Sequence, residues 1–294
     1  MEWWLVYLSL GAVVGFFAGL LGIGGGLIIV PALTFLFTIQ DFPPDRILHL
    51  ALGTTMATII FTAAASLYTH NRHGAVNWRI FKYMTPGIVI GTLGGAFLAG
   101  MLSSTVLHVI FTVFIFYVAT SMLLKRVSEP EPGAGSNQHF YHRFSGKIGF
   151  FAAGSVIGAI SSLVAIGGGI LTVPFLTLHR IKIQHAIGTA AAIGFPIAVT
   201  GTAGYILNGV TQSCALPEYS LGYVYLPALG WLALASMITA PFGAKTTHSA
   251  QAATLRKLFV ILLYCLAIKM LLDCSARSLS MSLIPASLWY GLWL

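Results

Sequence analysis

Two clusters of three glycines, Gly24–Gly26 and Gly167–Gly169, are the residues of this chain best suited to bind a ligand. Consecutive glycines break a helix and permit positive φ, so several backbone N–H groups can point into one concavity with no side chains in the way. The apolar run after each cluster predicts a new helix, whose first amides and positive dipole end favour an anion. We therefore predict that the two clusters come together as a backbone-lined site for a small anion.

Side-chain hydroxyls near the clusters would complete the shell around such an anion. The substrate-binding candidates beside the six glycines are Thr54, Thr189, Ser161 and Ser162, with Thr55, Thr58 and Thr172 nearby. Pro31 and Pro174 each follow a cluster by five residues, where they would break or kink the helix. His49 and His185 have two interpretations, as groups that bind or relay protons and as caps at the membrane interface. Neither cluster has the Lys-Ser/Thr of a phosphate loop or a strand before it, so nucleotide binding is not supported.

The composition shows which solvent surrounds these residues. The 294-residue chain is 57% hydrophobic and 7% charged, with a mean hydropathy of +0.89, whereas soluble domains carry about 25% charged residues. This excludes a soluble enzyme, a disordered protein and a secreted disulfide scaffold. Its three cysteines show no metal-binding or redox spacing, so we expect no metal and no cofactor. The net charge of +8 lies in short stretches between apolar runs, which is typical of topology signals and not of a nucleic-acid surface.

Ten apolar runs predict membrane helices, since about 20 apolar residues span a bilayer. Six are long enough to cross, and the other four form two pairs, each broken at a glycine cluster. The alternating ten-residue segments of a barrel are absent, so the fold class is all-α integral membrane. The runs are Trp4–Leu21, Leu27–Ile39, Ile47–Thr69, Ile80–Met101, Thr105–Leu124, Ile148–Val164, Ile170–Leu178, His185–Leu207, Leu221–Phe242 and Leu255–Leu272.

The two broken pairs are copies of each other. Ala18–Thr34 and Ser161–Thr177 share nine identities in 17 positions, and the Gly53-Thr54 pair recurs as Gly188-Thr189. The first match aligns residues that are 143 positions apart. At this same offset, two stripes of small residues at helical spacing also align, and we interpret both as helix-packing faces. These stripes are Gly11, Gly15, Gly19 and Gly154, Gly158, Ser162. The sequence therefore contains an internal duplication.

Basic residues predict the orientation of the two copies. If each broken pair is a hairpin and the N-terminus lies outside, 12 of the 15 Lys and Arg fall on the cytoplasmic side. This predicts two inverted repeats, each a glycine-broken hairpin plus three transmembrane helices. The predicted divisions are an N-terminal repeat (1–126), a cytoplasmic linker (127–146), a C-terminal repeat (147–273) and an apolar tail (274–294) whose Trp and Tyr suit the membrane interface.

The duplicated pattern at Gly15–Pro31 and Gly158–Pro174, with the length and span count, resembles the TauE/SafE family of sulfite exporters and sulfonate permeases. The resemblance implies a multi-pass carrier of the plasma (inner) membrane that moves small sulfur-containing anions. The second copy departs from the pattern, because Ser162 and Ala165 stand at the places of Gly19 and Gly22.

These observations favour a secondary transporter and not an enzyme. Inverted repeats with interrupted helices point to a transporter site, and we expect sulfite or an organosulfonate to cross by alternating access. The alternatives are another small anion (sulfate, thiosulfate or a carboxylate), a membrane-embedded enzyme, or a scaffold. An enzyme would need reactive groups at membrane depth and a scaffold would need a soluble domain, and the sequence offers neither. The expected partners are the small anion and membrane lipid, with a homodimer left open and nucleic acid excluded.

Overall fold

Ten helices and one short hairpin make up the part of the chain that the computed structural model describes, residues 3–21, 24–124, 146–179, 181–212, 216–246 and 259–272. The hairpin strands are β1 (Ser220–Leu221) and β2 (Val224–Tyr225), paired antiparallel. The helices are α1 (Trp3–Leu21), α2 (Gly26–Ile39), α3 (Ile47–Arg72), α4 (Trp78–Met101), α5 (Ser104–Leu124), α6 (Lys147–Leu163), α7 (Gly169–Leu178), α8 (Ile183–Thr211), α9 (Leu226–Thr246) and α10 (Phe259–Leu272).

Helices follow the apolar runs because, in lipid, a helix satisfies its backbone hydrogen bonds within its own segment. In the described residues, five helices are long and apolar enough to cross a membrane: α3, α4, α5, α8 and α9. The chain is therefore an all-α membrane protein, as the composition predicts. One boundary is corrected: residues 221–225 belong to the hairpin and not to α9, because the chain turns at Gly222, whose φ is +55°.

The two most extensive helix–helix contacts each join a helix of one half of the chain to a helix of the other half. Helix α1 packs along α9, and α6 packs along α4. A Cβ added to Gly11 would lie 2.9 Å from the Leu232 carbonyl oxygen, and one added to Gly15 would lie 2.5 Å from the Ser236 Cα. Residue numbers rise together along α1 and α9, so the two helices run parallel. The packing interpretation of the Gly11 stripe is confirmed, because its glycines let α9 approach at backbone distance.

Helices α4 and α6 form the equivalent parallel pair. A Cβ on Gly154 would lie 2.5 Å from the Met84 carbonyl oxygen, and one on Gly158 would lie 2.6 Å from that of Ile88. These two glycines match Gly11 and Gly15 in the repeat. Each half of the chain thus supplies the first helix of one pair and the fourth helix of the other.

At the centre, α3 and α8 cross each other in opposite directions. Gly201 of α8 lies next to Met56 of α3, while Gly194, earlier in α8, lies next to Ala63, later in α3. Helix α2 packs on α3, and α7 packs on α8. Since α3 and α8 are equivalent in the sequence repeat, equivalent helices run antiparallel at the core of the molecule.

Two of the predicted divisions lie outside the described residues. The linker 127–146 does so except for Gly146, and the tail 274–294 does so entirely. Part of the last predicted span, Leu255–Leu272, also does so, since the described helix begins at Phe259. The proposed boundaries between repeats stay predictions.

Candidate functional site

Both glycine clusters lie where one helix ends and the next begins. Gly25 is the N-cap of α2 with φ of 77°, and Gly168 is the N-cap of α7 with φ of 75°. Gly24 also has a positive φ, of 80°. These left-handed conformations are open to glycine at little cost, so the clusters provide the helix breaks that the sequence predicts. The first amides of α2 and α7 consequently start at these breaks, as at any helix N-terminus.

The structure brings the two clusters into contact. A Cβ added to Gly24 would lie 3.3 Å from the Cα of Gly167, and one added to Gly26 would collide with the carbonyl oxygen of Ala165. A Cβ on Gly194 of α8 would lie 2.6 Å from the Gly167 carbonyl oxygen. Two helix starts from opposite halves of the chain therefore meet beside the α3–α8 crossing, with their backbones at van der Waals distance.

The second break has a defined backbone turn. The Ile166 amide donates to the Ser161 carbonyl at 3.0 Å, and the Gly168 amide donates to the Ile166 carbonyl at 2.8 Å. The Thr172 amide then donates to the Gly168 carbonyl at 2.8 Å and begins α7. Ala165, which stands at the place of Gly22, takes a positive φ of 47°. The departure from the repeat pattern at Ala165 is accommodated as local strain.

Buried hydroxyls flank this second break. Ser161, in the last turn of α6, and Thr172, in the first turns of α7, are both fully buried. Neither hydroxyl has a hydrogen-bond partner among the described residues. The Thr172 Oγ1 lies 3.6 Å from the position that a Cβ on Gly168 would take. Buried polar groups nearly always have partners, so these two hydroxyls are candidates for contact with a ligand.

Ser162 has a different environment from Ser161. Its hydroxyl donates to the Ala159 carbonyl at 3.0 Å, and its backbone carbonyl accepts a bond from the Tyr205 hydroxyl at 2.9 Å. A Cβ on Gly95 of α4 would collide with the Ser162 Oγ. Ser162 therefore lies in the α4–α6 packing interface, with its hydroxyl already bonded.

Thr54 and Thr189 hold loops of the opposite half of the chain. The Thr54 hydroxyl accepts from the Tyr225 amide at 2.9 Å, just before α9. The Thr189 hydroxyl accepts from the Asn77 amide, also at 2.9 Å, just before α4. The preceding glycine of each pair, Gly53 or Gly188, lets the loop backbone approach the helix closely. We call these two contacts the Thr54 latch and the Thr189 latch.

The prolines lie inside helices. Pro31 is within α2 and Pro174 within α7, and both helices continue past them. The breaks of the two hairpins therefore lie at the glycines. Thr34 and Thr177 donate to the Val30 and Val173 carbonyls, at 2.8 and 3.0 Å, and these bonds repeat in both halves.

The two histidines of the repeat differ. His49 is buried, with its Nε2 3.1 Å from the Ala99 carbonyl oxygen and its ring 5.1 Å from the Tyr223 ring. His185 is exposed near the start of α8. They therefore do not form an equivalent pair at the site.

At one end of the bundle, a polar network that the sequence did not predict links the two halves of the chain. Arg46 Nη1 donates to Gln212 Oε1 at 2.7 Å and to the Tyr223 hydroxyl oxygen at 2.8 Å. Gln212 Nε2 donates to the Gly100 carbonyl at 2.7 Å. The residues lie in or beside the connections 40–46, 102–104 and 208–220, all of which the charge pattern predicts to be outside. The sequence predicts contact between the halves only at the glycine clusters, and no sequence signal marks the contacts of Arg46.

Comparison with known proteins identifies relatives of this chain by sequence. The family described as Sulfite exporter TauE/SafE matches residues 7–270. A probable membrane transporter protein of Haemophilus influenzae is 37% identical over 91% of this chain and 98% of its own length. The probable membrane transporter protein YunE of Bacillus subtilis is 27% identical, over 70% of this chain and 79% of its own. One from Methanocaldococcus jannaschii is 25% identical, over 91% and 97%. No solved structure matches the chain.

Proposed function

Because the chain belongs to the TauE/SafE family and is a multi-pass membrane transporter of that type, we propose that it is a secondary carrier of a small oxidised-sulfur anion. Sulfite or an organosulfonate is the proposed substrate, and the plasma membrane is the proposed location. The observation that carries this proposal is the contact between the two glycine breaks. It supports a site in which amides from both halves face one anion.

The proposed site holds charge without a buried cation. The positive ends of α2 and α7 supply partial positive charge. The Gly168 and Gly169 amides already donate to the Ile166 and Gly167 carbonyls, so the proposed donors at α7 are the amides that follow them. The hydroxyls of Ser161 and Thr172 supply two donors that have no other described partner. Hydrogen bonds to a charged group are the strong ones, so this set of neutral donors is sufficient to replace part of the anion's hydration.

Alternating access is the proposed mechanism. The glycines of both breaks are buried apart from the partly exposed Gly24, which supports interpreting the described conformation as one in which the proposed site is closed. The antiparallel α3–α8 pair and the exchanged pairs α1–α9 and α4–α6 support two inverted repeats that rock against each other. The two latches lie toward opposite ends of the α3–α8 pair, where each ties the halves together.

The glycine site is tested by Gly168→Ala. A Cβ there is forced into the left-handed region and lies 2.8 Å from the Ile197 Cδ1, so the amides of the break shift. We expect at least a tenfold loss of affinity for the transported anion. The matched control is Gly94→Ala in α4, where an added Cβ meets nothing within 4 Å.

The measurement is thermal stabilisation of the purified protein, with uptake into proteoliposomes as the second readout. The ligand panel is sulfite, sulfate, thiosulfate, sulfoacetate, taurine and small carboxylates. Normal binding by Gly168→Ala would refute the glycine site. Stabilisation only by cations or neutral solutes would refute the anion proposal as a whole.

A further inference from the structure

A basic groove lies at one end of the α4–α6 pair, away from the glycine breaks. Its volume is about 290 Å³, and it opens to the outside of the bundle. Residues of both helices line it: Lys82, Tyr83, Pro86, Lys147, Ile148 and Phe151. The charge pattern of the sequence predicts that this end faces the cytoplasm.

The lysines of the groove have no acidic neighbour on either helix. Neither α4 nor α6 contains Asp or Glu, and Lys147 Nζ lies 5.6 Å from the centre of the Tyr83 ring. Lys147 is the first residue of α6 and Lys82 the fifth of α4. A cation near a helix N-terminus is unfavourable, because the positive dipole end is there. Since α4 and α6 run parallel, both N-terminal ends and both lysines add to one positive region.

An apolar wall continues from the lysines toward the membrane interior. Ile148 is 84% exposed and Phe151 is 38% exposed. Phe151 follows Lys147 by about one helical turn, which is one turn deeper along α6. The groove therefore combines cationic ends with an exposed apolar surface, which is the chemistry of a phospholipid with an anionic headgroup.

The equivalent helix pair at the other end of the molecule has no such charge. By the register of the repeat, Trp4 of α1 matches Lys147, and Trp231 of α9 matches Tyr83. The rings of Trp4 and Trp231 lie 5.6 Å apart. Packing of the parallel pair thus does not require lysines. In the described parts of these two helix pairs, the lysine-lined groove lies at the end of α4 and α6 that is predicted to face the cytoplasm.

We propose that the groove binds the phosphate of an anionic phospholipid of the inner leaflet between Lys82 and Lys147, with an acyl chain along Ile148 and Phe151. The occupant is a lipid and not a free phosphate, because the apolar wall is part of the groove.

The test is native mass spectrometry of the purified full chain titrated with phosphatidylglycerol or phosphatidylcholine. We expect phosphatidylglycerol to bind more tightly, and its affinity to fall about fivefold in Lys82→Gln or Lys147→Gln and about thirtyfold in the double variant. Phosphatidylcholine binding should not change. The double Lys→Arg variant keeps the charge and should keep the affinity, which separates charge loss from misfolding. Lys182→Gln, at the N-cap of α8, removes an exposed charge elsewhere and should have no effect.

Two results would overturn the proposal. The first is a double Gln variant with phosphatidylglycerol affinity within twofold of the original chain, or an equal loss in Lys182→Gln. The second is competition by soluble glycerophosphate at the concentration at which the lipid itself binds, which would assign the groove to a free phosphate.

Discussion

Ser161 and Thr172 flank the second glycine break as buried hydroxyls with no hydrogen-bond partner among the described residues, a property that they share with Thr55 of α3. Most serines and threonines in these helices donate to a carbonyl three or four residues earlier, as Thr34, Thr58 and Thr177 do. An unpaired buried hydroxyl lowers the free energy of unfolding, because it loses its hydrogen bonds to water without gaining a partner in the protein. Two of them beside one helix break are consistent with the proposed contact to an anion.

We predict that Thr172→Val, which preserves the shape of the side chain, leaves the free energy of unfolding equal or raises it by about 1 kcal/mol. The same change should weaken anion binding about tenfold, since a hydrogen bond to a charged group is lost. Ser161→Ala should behave alike. Thermal unfolding without ligand and ligand titration of each variant measure the two effects separately.

The matched control is Thr177→Val in the same helix. Its hydroxyl donates to Val173 and Pro174 carbonyls within α7, so we expect a loss of stability of about 1 kcal/mol with unchanged affinity. If Thr172→Val loses stability and keeps affinity, the Thr172 hydroxyl has a structural role and the proposed site is wrong at this residue.

At the scale of elements, the latches connect helices that the sequence places in different repeats. Thr54 of α3 holds the start of α9, and Thr189 of α8 holds the start of α4. Each bond is worth about 1 kcal/mol. That is enough to change the balance between two conformations several-fold.

We predict that Thr54→Val and Thr189→Val shift this balance in opposite directions. Loss of the Thr54 latch should favour opening at the predicted outer end, and loss of the Thr189 latch should favour opening at the inner end. Thr→Ser at either position keeps the acceptor oxygen and should resemble the original chain. The measurement is the labelling rate of a single cysteine placed beside each latch, in a background without native cysteines. Equal effects of both Val variants on both ends would contradict the latch mechanism.

The sequence predicts most of the elements, because span length, apolar runs and glycine clusters are local signals. Helix α2 begins at Gly26 and α7 at Gly169, as the clusters indicate. The hairpin before α9 is not predicted, since residues 221–225 are as apolar as a span. The partners of Thr54 and Thr189 are not predicted either. They are backbone amides of distant loops, and an amide carries no residue-specific signal. Ser161 and Ser162 are both site candidates in the sequence, although only Ser162 lies on a small-residue stripe. Packing against Gly95 assigns Ser162 to the helix interface.

At the scale of the whole molecule, connections that the charge pattern predicts on the same side of the membrane contact each other in the structure. The Arg46 network gathers residues predicted outside, whereas the Thr189 latch and the Lys82–Lys147 groove use residues predicted inside. The contacts in the structure therefore bring together connections that the charge pattern predicts on the same side. This agreement supports the inverted topology. Its absolute orientation remains a prediction of the positive-inside rule.

We predict that a membrane-impermeant maleimide labels Asp45→Cys in intact cells and labels His73→Cys only after permeabilisation. Both positions are exposed and lie in or beside connections at opposite ends. The three native cysteines are replaced beforehand. Labelling with the reverse sidedness would invert the assignment of both latches and place the lysine groove in the outer leaflet.

The exchange of helices between halves also governs the order of assembly in the membrane. Helix α1 is synthesised and inserted first, yet the helix against which Gly11 and Gly15 pack, α9, emerges only after Leu226. Until then, the glycine face of α1 is covered by lipid or by the insertion machinery. Assembly therefore finishes late and from both ends of the chain. A substitution in α9 that blocks this pairing, such as a large side chain at Ser236, would leave α1 inserted but unpaired and expose the protein to membrane proteases.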